Sequence, residues 1–411
     1  MIRRICILIC LVFSGISSVQ AAGKLLVVGG ALKADNQAVY DAFINAMPSP
    51  KTGVIAVVPV ASGAPVESFD FFKKNLIRYG VAEERIKLVR LAVRDDRSTP
   101  MYNEETWAGN ARKKNEIEKI NQAEAIWFTG GDQLRIVQTL LTKKGQDSKM
   151  LTALRQRLKD GAVIGGTSAG AAMMSSPMIL SGEPMTSLLY GIDPKQENAL
   201  RITAGLGFFP YGMVDQHFDA RARLGRLTRA LHYLSPESRL GFGIDENTGL
   251  LVDLTNHNLQ IIGAGNVTVI DARDAEFGEK NKPLSVKGAG LSVYAHQDRI
   301  DLASGKITIA SHRKATDKDG YNDHQPASGG GMVFPAQRLA DMLGEDLVDN
   351  KIVQELERIS FTMHGETAMS YRFYQTPDTR SFWGRDEKDQ AGYSHISVGF
   401  DVMPIKIELK K

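Results

Sequence analysis

Apolar positions in the first 170 residues fall into short unbroken runs. KLLVVGG (24–30), VIAVVPVAS (54–62), IKLVRL (86–91), AIWFTGG (125–131) and AVIGGTS (162–168) read as strands buried on both faces. Between them, 67–79, 111–122, 133–144 and 150–159 carry apolar residues at helical spacing. Strands that alternate with helices predict an α/β fold, a mostly parallel sheet with helices on both faces. In such a sheet the ligand site lies beyond the carboxyl ends of the strands. Gly29-Gly30, Gly130-Gly131 and Ser168 all stand at such ends, so three loops are expected to meet around one crevice.

The pattern then loosens. Residues 175–207 read as a long irregular stretch that walls or covers the crevice. FDARARLGRLTRALHYL (218–234) reads as a helix, and 240–252, 258–263 and 266–271 as strands. Beyond about 280 the character changes. LSVKGAGLSVYAHQ (284–297) and KITIA (306–310) suggest antiparallel strands, and 317–331 a polar, glycine-rich loop. Residues 336–359 read as one or two helices, and 395–409 return to strand patterning. The expected organisation is a leader over 1–21, a catalytic α/β domain over 22–279 and an accessory C-terminal region over 280–411.

The leader changes the picture of where the protein works. Arg3 and Arg4 precede an apolar stretch, and Val19-Gln20-Ala21 fits a signal-peptidase site with cleavage after Ala21. The apolar core is too short for an anchor, so a secreted, soluble protein is expected, with no membrane span. Both cysteines, Cys6 and Cys10, lie in this leader. The remaining chain has no disulfide, no Cys-ligated metal and no thiol nucleophile. Without Arg3 and Arg4, 48 basic residues face 47 acidic ones, a balance that argues against a nucleic-acid partner.

The candidate chemistry centres on VIGGTSAGAAMM (163–174). Gly166-Thr167-Ser168-Ala169-Gly170 is G-x-S-x-G after a strand and before a small-residue helix, a corner that lifts a serine hydroxyl clear of the sheet. Serine needs a base, a group that orients the base, and donors for the oxyanion. Among eight histidines, His217 stands between a strand end and a helix start among polar groups, whereas His232 lies mid-helix and reads as structural. Asp245 and Glu246, at the end of an apolar run, are both candidates to orient the imidazole. The order Ser, His, acid differs from the Ser, acid, His order of lipases and esterases. The backbone N–H of Ala169, with those of Gly131 or Asp132, would hold the oxyanion. Such a mechanism calls for no metal and no organic cofactor.

Taken in order, TGGDQ (129–133), GGTSAGA (165–171), DQHFDARAR (215–223) and GIDENT (243–248) resemble the cyanophycinases, serine peptidases related to the aspartyl dipeptidases. The resemblance spans roughly residues 23–275, and the leader points to the extracellular bacterial type. It implies a sheet like that of class I glutamine amidotransferases, with serine in place of cysteine. It implies hydrolysis of cyanophycin, a poly-aspartate with arginine in isopeptide linkage, to β-Asp-Arg dipeptides. It assigns Ser168 as nucleophile, His217 as base and Glu246 as acid, with Asp245 as the alternative, and implies a homodimer. Gln133, Asp215, Gln216, Arg221, Arg223 and Arg226 map onto the family's substrate-binding residues. Arginines can grip carboxylates with paired hydrogen bonds, while Asp215 and Gln216 are expected to meet donors on the substrate. Positions 221, 223 and 226 do not share one helix face, so at least one is expected to be solvated. Two rival readings are an α-aspartyl dipeptidase acting on short peptides and a catalytically silent secreted polymer-binding protein.

Overall fold

The computed structural model describes residues 23–316, 320–326, 331–333, 336, 338–362 and 366–408. The leader, and residues 317–319 and 327–330 of the expected polar loop, lie outside the described residues. The five N-terminal runs form β1 (Lys24–Val28), β2 (Val54–Val58), β3 (Ile86–Leu88), β4 (Ala123–Phe128) and β5 (Val163–Thr167). They lie side by side, all parallel, in the order β1-β5-β4-β2-β3. Alternation sends Leu25, Val27, Val58, Phe128 and Ile164 to one face, and Leu26, Val28, Val57, Trp127 and Val163 to the other. Helices α1 (Gln37–Asn45) and α2 (Pro65–Arg78) cover the second face with Tyr40, Phe43, Phe69 and Phe72. Helices α3 (Lys114–Gln122), α4 (Gln133–Leu140) and α5 (Lys149–Lys159) cover the first with Ile120, Ile136, Leu140, Leu151 and Leu154. With both faces covered, most strand positions are apolar, with polar residues such as Lys24, Lys87, Glu124 and Thr167 as exceptions, and the runs read as nearly continuous. Helix α4 stops at Leu140, short of the expected 144, because the chain turns back on itself through a Leu141–Asp147 bridge.

A short helix, α6 (Ala169–Ala172), leaves the end of β5. The stretch expected to be irregular holds a hairpin, β6 (Met178–Ser181) with β7 (Arg201–Thr203), and helix α7 (Pro184–Tyr190) between them. Next come β8 (Met213–Gln216), α8 (Leu224–Leu231), β9 (Leu240–Ile244), β10 (Thr248–Asp253), β11 (Asn258–Gly263) and β12 (Val267–Asp271). The run 240–252 is therefore two strands, and they belong to different sheets. β10 and β11 continue the first sheet, antiparallel, beyond β1, whereas β8, β9 and β12 open a second sheet. The chain crosses between sheets at Asp245–Asn247, where Asn247 takes φ 55° and donates its N–H to Gly30 O at 2.7 Å. The helix expected over 218–234 begins only at Leu224. His217 and Ala222 both take positive φ, and 219–221 make a single tight turn between them.

Strands from beyond residue 280 complete both sheets, so no structural boundary falls at 279/280. After β13 (Glu276–Phe277) come β14 (Val286–Tyr294), β15 (Arg299–Asp301), β16 (Lys306–Thr308) and β17 (Lys314–Ala315). The last elements are α9 (Leu339–Leu343), β18 (Glu355–Ser360), β19 (Thr367–Tyr374), β20 (Arg380–Arg385) and β21 (Ala391–Lys406). β15 and β16 extend the first sheet past β11. β14 pairs with β12 on one side and with β21 on the other, and β21 also holds β19 and β20. The helical reading of 336–359 is corrected, since among the described residues only 339–343 and the wide turn Gly344–Val348 coil before the chain enters β18. Leu356, Arg358 and Ser360 are buried there at alternate positions, and pairing with β19 overrides the helix propensity of Glu-Leu-Glu-Arg. The tail also reaches the middle of the chain. The Asp219 carboxylate accepts the N–H of Arg338 at 2.9 Å and of Leu339 at 3.0 Å, at the start of α9.

Candidate active site

β1, β5 and β4 are neighbours, so the loops after them adjoin. Ser168 follows β5 at φ 55° and ψ −109°, a conformation that costs an L-residue on the order of 1–3 kcal/mol. Its N–H is tied to Val28 O at 3.0 Å. The flanking glycines make this corner possible. A Cβ on Gly166 would sit 2.5 Å from Gly170 O, and one on Gly170 would sit 2.5 Å from Phe128 O. The corner turns the hydroxyl out toward the second sheet.

His217 and Glu246 come from that second sheet, just past the ends of the parallel neighbours β8 and β9. His217 Nε2 lies 2.8 Å from Ser168 Oγ, and Nδ1 lies 2.5 Å from Glu246 Oε1. With the Nδ1 proton donated to the carboxylate, Nε2 accepts from the serine. The backbone of His217 donates to Gly29 O at 2.6 Å. Its ring fills the space above Gly30, where a Cβ would lie 2.3 Å from Cε1. Gly30 thus gives the imidazole its place between the two sheets. Burial holds the His217 pKa below its ordinary value; the hydrogen bond to Glu246 opposes this, and Arg221 and Arg223 reinforce it. The resting imidazole is accordingly neutral near pH 7, the form that can take a proton.

Asp245 faces elsewhere. Its oxygens accept the N–H groups of Asp219 at 3.0 Å and Asn266 at 2.9 Å, which pins the loop after His217 to the turn before β12. Burial, and then the nearby Asp219 carboxylate, push Asp245 up to about 7 against the pull of those two donors. Of the two acids left open by the sequence, Glu246 is the one set against His217.

The oxyanion donors need one correction. The Asp132 N–H is bonded to Ala61 O at 2.9 Å and cannot serve, while the Asp132 side chain caps α4 through the Leu134 N–H. The N–H groups of Gly131 and Ala169 have no backbone acceptor among the described residues. Gly131 adopts φ 139°, and a Cβ there would strike Ala61 O at 2.0 Å, so only glycine lets this loop lie so close.

Two clefts open at Ser168. One, of about 480 Å³, is lined by Gly131, Gln133, Gln216, Arg221, Arg223 and Arg226, with the 180–183 segment as its wall. Gln133 donates to Leu180 O at 2.6 Å, which fixes that wall. Gln216 Oε1 stands 3.5 Å from Ser168 Oγ. Asp215 is expected from the sequence to meet the substrate, but it is 1% exposed and already engaged. It accepts Arg226 Nε at 2.9 Å and Arg223 Nη1 at 3.3 Å, while Arg226 Nη1 donates to Gly182 O at 2.9 Å. Asp215 therefore acts on the site by holding two arginines in place. Arg221 is the exposed one of the three. Two arginines sharing one carboxylate, with Arg221 beside them, outweigh Glu183 and suit the cleft to a carboxylate group.

The other cleft, of about 520 Å³, was not anticipated. Tyr40, Glu67, Phe71, Phe72 and Trp127 line it, with Thr129, Thr167 and His217 near Ser168. The available signal was the place of Glu67 just past the 54–62 run, at the same strand-end edge as the other loops. Among the described residues no group of three or more His, Asp or Glu side chains is arranged to hold a metal ion.

Residues 108–262, which contain every one of the triad and arginine-cleft side chains, match peptidase family S51. The chain is 32% identical over 254 residues to a cyanophycinase of Geminocystis herdmanii, an overlap of 60% of this chain and 82% of that protein. It is 30% identical over 260 residues to a cyanophycinase of Thermosynechococcus vestitus, covering 62% of this chain and 71% of the relative. Among solved structures, a peptidase from an acI-B1 Actinobacterium aligns with 69% of this chain and 98% of its own at 19% identity and a TM-score of 0.44. From the extent of its likeness to these curated relatives, the chain belongs to the cyanophycinase-like peptidases of family S51 and is a serine-type peptidase.

Proposed function

We propose that this protein hydrolyses cyanophycin and releases β-Asp-Arg dipeptides through an acyl-enzyme. The observation that carries the reading is the Ser168–His217–Glu246 relay, with spacings of 2.8 and 2.5 Å, beside a cleft rich in arginine. Neutral His217 takes the Ser168 proton as Oγ attacks a backbone carbonyl of the substrate. The N–H groups of Gly131 and Ala169 hold the oxyanion. Glu246 stabilises the imidazolium that forms, and His217 then gives its proton to the leaving amine. Water, activated by the same imidazole, hydrolyses the ester. The arginine cleft favours a substrate that carries carboxylates, and Arg221 is the exposed cation that grips them. In this reading the first sheet is a variant of the class I glutamine amidotransferase arrangement. Export through residues 1–21, with cleavage after Ala21, would deliver the enzyme to polymer outside the cell.

The test is incubation of wild-type and Ser168→Ala protein with insoluble cyanophycin, with soluble β-Asp-Arg read by mass spectrometry. Release by wild type alone is expected. Equal release by both proteins removes the serine mechanism, and release by neither removes the substrate.

A further inference from the structure

We propose that the aromatic cleft at Ser168 is a guanidinium subsite, which holds an arginyl side chain of the substrate next to the scissile bond. This rests on the reading above and deepens it. The two clefts share Ser168 and no other lining residue, and their charges differ in sign. The arginine cleft suits carboxylates. In the aromatic cleft Glu67 is the charged side chain, with His217 neutral beside it.

Three features fit a guanidinium. Glu67 is exposed, stands in the first turn of α2 and has no hydrogen-bond or ion-pair partner among the described residues, so its carboxylate is free to accept a forked pair of N–H donors. The walls are aromatic. Phe72 stacks on Trp127 at 4.3 Å with the rings 9° apart, Tyr40 lies against Phe72, and Phe71 is 52% exposed at the rim. The buried rings back the exposed Phe71, and a planar, weakly hydrated cation packs well against such an aromatic wall. Finally, the hydroxyls of Thr129 and Thr167 are buried among the lining residues and have no hydrogen-bond partner among the described residues, which is rare in folded proteins. Both can accept N–H groups from a guanidinium that reaches the floor. A carboxylate would face Glu67 with no cation to offset it. An apolar side chain would leave Glu67 and both threonines unmatched. A substrate with arginyl groups and carboxylates along its length would therefore straddle Ser168, cation on one side and anion on the other.

The test uses two soluble oligomers of the cyanophycin type and of equal length, one with arginyl side groups and one with citrullyl groups, neutral and of nearly the same shape. Wild type is expected to favour the arginyl oligomer in kcat/KM by about 10- to 100-fold. Glu67→Gln is expected to lower the arginyl value by a similar factor and leave the citrullyl value within about threefold. Phe71→Ala, also at an exposed position, should weaken the arginyl preference in part. Glu67→Gln acting equally on both oligomers, or on neither, overturns the subsite while the peptidase reading stands. Failure of wild type to cleave either oligomer overturns the substrate reading and the subsite with it.

Discussion

Replacing Glu246 with glutamine keeps the shape of the orienting side chain and removes its charge. The carboxylate lies 2.5 Å from His217 Nδ1, and the imidazolium forms only as Ser168 attacks. Two unit charges about 4 Å apart at an effective dielectric of about 20 interact by about 4 kcal/mol. The Glu246 side chain is 37% exposed, so solvent reduces this to about 2 kcal/mol. A second loss concerns the tautomer. A glutamine that turns its NH2 group to Nδ1 stabilises the imidazole with its proton on Nε2, which cannot then accept from Ser168. Together these place the fall in kcat at about 10³-fold, or about 4 kcal/mol, toward the lower end for triad carboxylates. KM should change little, because Glu246 lines neither cleft. Asp245→Asn is the paired control. It should lower the melting temperature, since its two oxygens accept two backbone N–H groups and an asparagine supplies one acceptor. Its kcat should stay within about tenfold of wild type. Initial rates of dipeptide release from soluble oligomers at pH 7–8, with thermal melts on each variant, measure both. A Glu246→Gln enzyme within about threefold of wild type, or an Asp245→Asn enzyme that loses as much kcat with its melting temperature intact, would remove Glu246 from its place behind His217.

Gly30→Ala places a methyl 2.3 Å from the His217 ring at φ 120°, and a shift of about 1 Å in the base should cost more than about 10²-fold in kcat, beyond any loss of folded protein. Arg221 helps hold the His217 pKa down, so Arg221→Ala should raise it and move the acid limb of kcat/KM to higher pH, whereas Arg221→Lys should largely restore the limb. Burial raises Asp245 from 3.8 to about 7, so the folded protein holds a proton there that the unfolded chain releases. Its contribution to stability therefore declines as pH rises from about 4 to about 7 and is flat outside that window. Melts of wild type and Asp245→Asn across pH 4–8 should differ in slope within the window, with the variant flatter.

Much of the first sheet was legible because burial on both faces makes its strands continuous apolar runs, and the loops at their ends are marked by glycine and serine. Ser168, His217 and Glu246 were readable as candidates from a strand-end serine, a histidine in polar company and an acid after an apolar run. The split of 240–252 was not, since Asp-Glu-Asn resembles an ordinary hairpin turn whether or not the chain changes sheets. Nor could charge alone show that Asp215 is consumed by Arg223 and Arg226, or that Ala61 takes the Asp132 N–H; both depend on contacts far apart in the chain. The aromatic cleft is drawn from α1, α2, β4 and β5, and no local pattern announces it. Residues 355–360 have good helix propensity and became a strand because a partner strand was waiting.

The strand that carries His217 is held in register, through β9, β12 and β14, by β21, and Asp219 two residues past the histidine grips the start of α9. Those stabilising segments lie far downstream in the chain, so a ribosome makes them after Ser168 and His217 have emerged. A nascent chain thus exposes both reactive groups, tied to the end of β1 and to β9, before the outer strands that brace the His217 side are made.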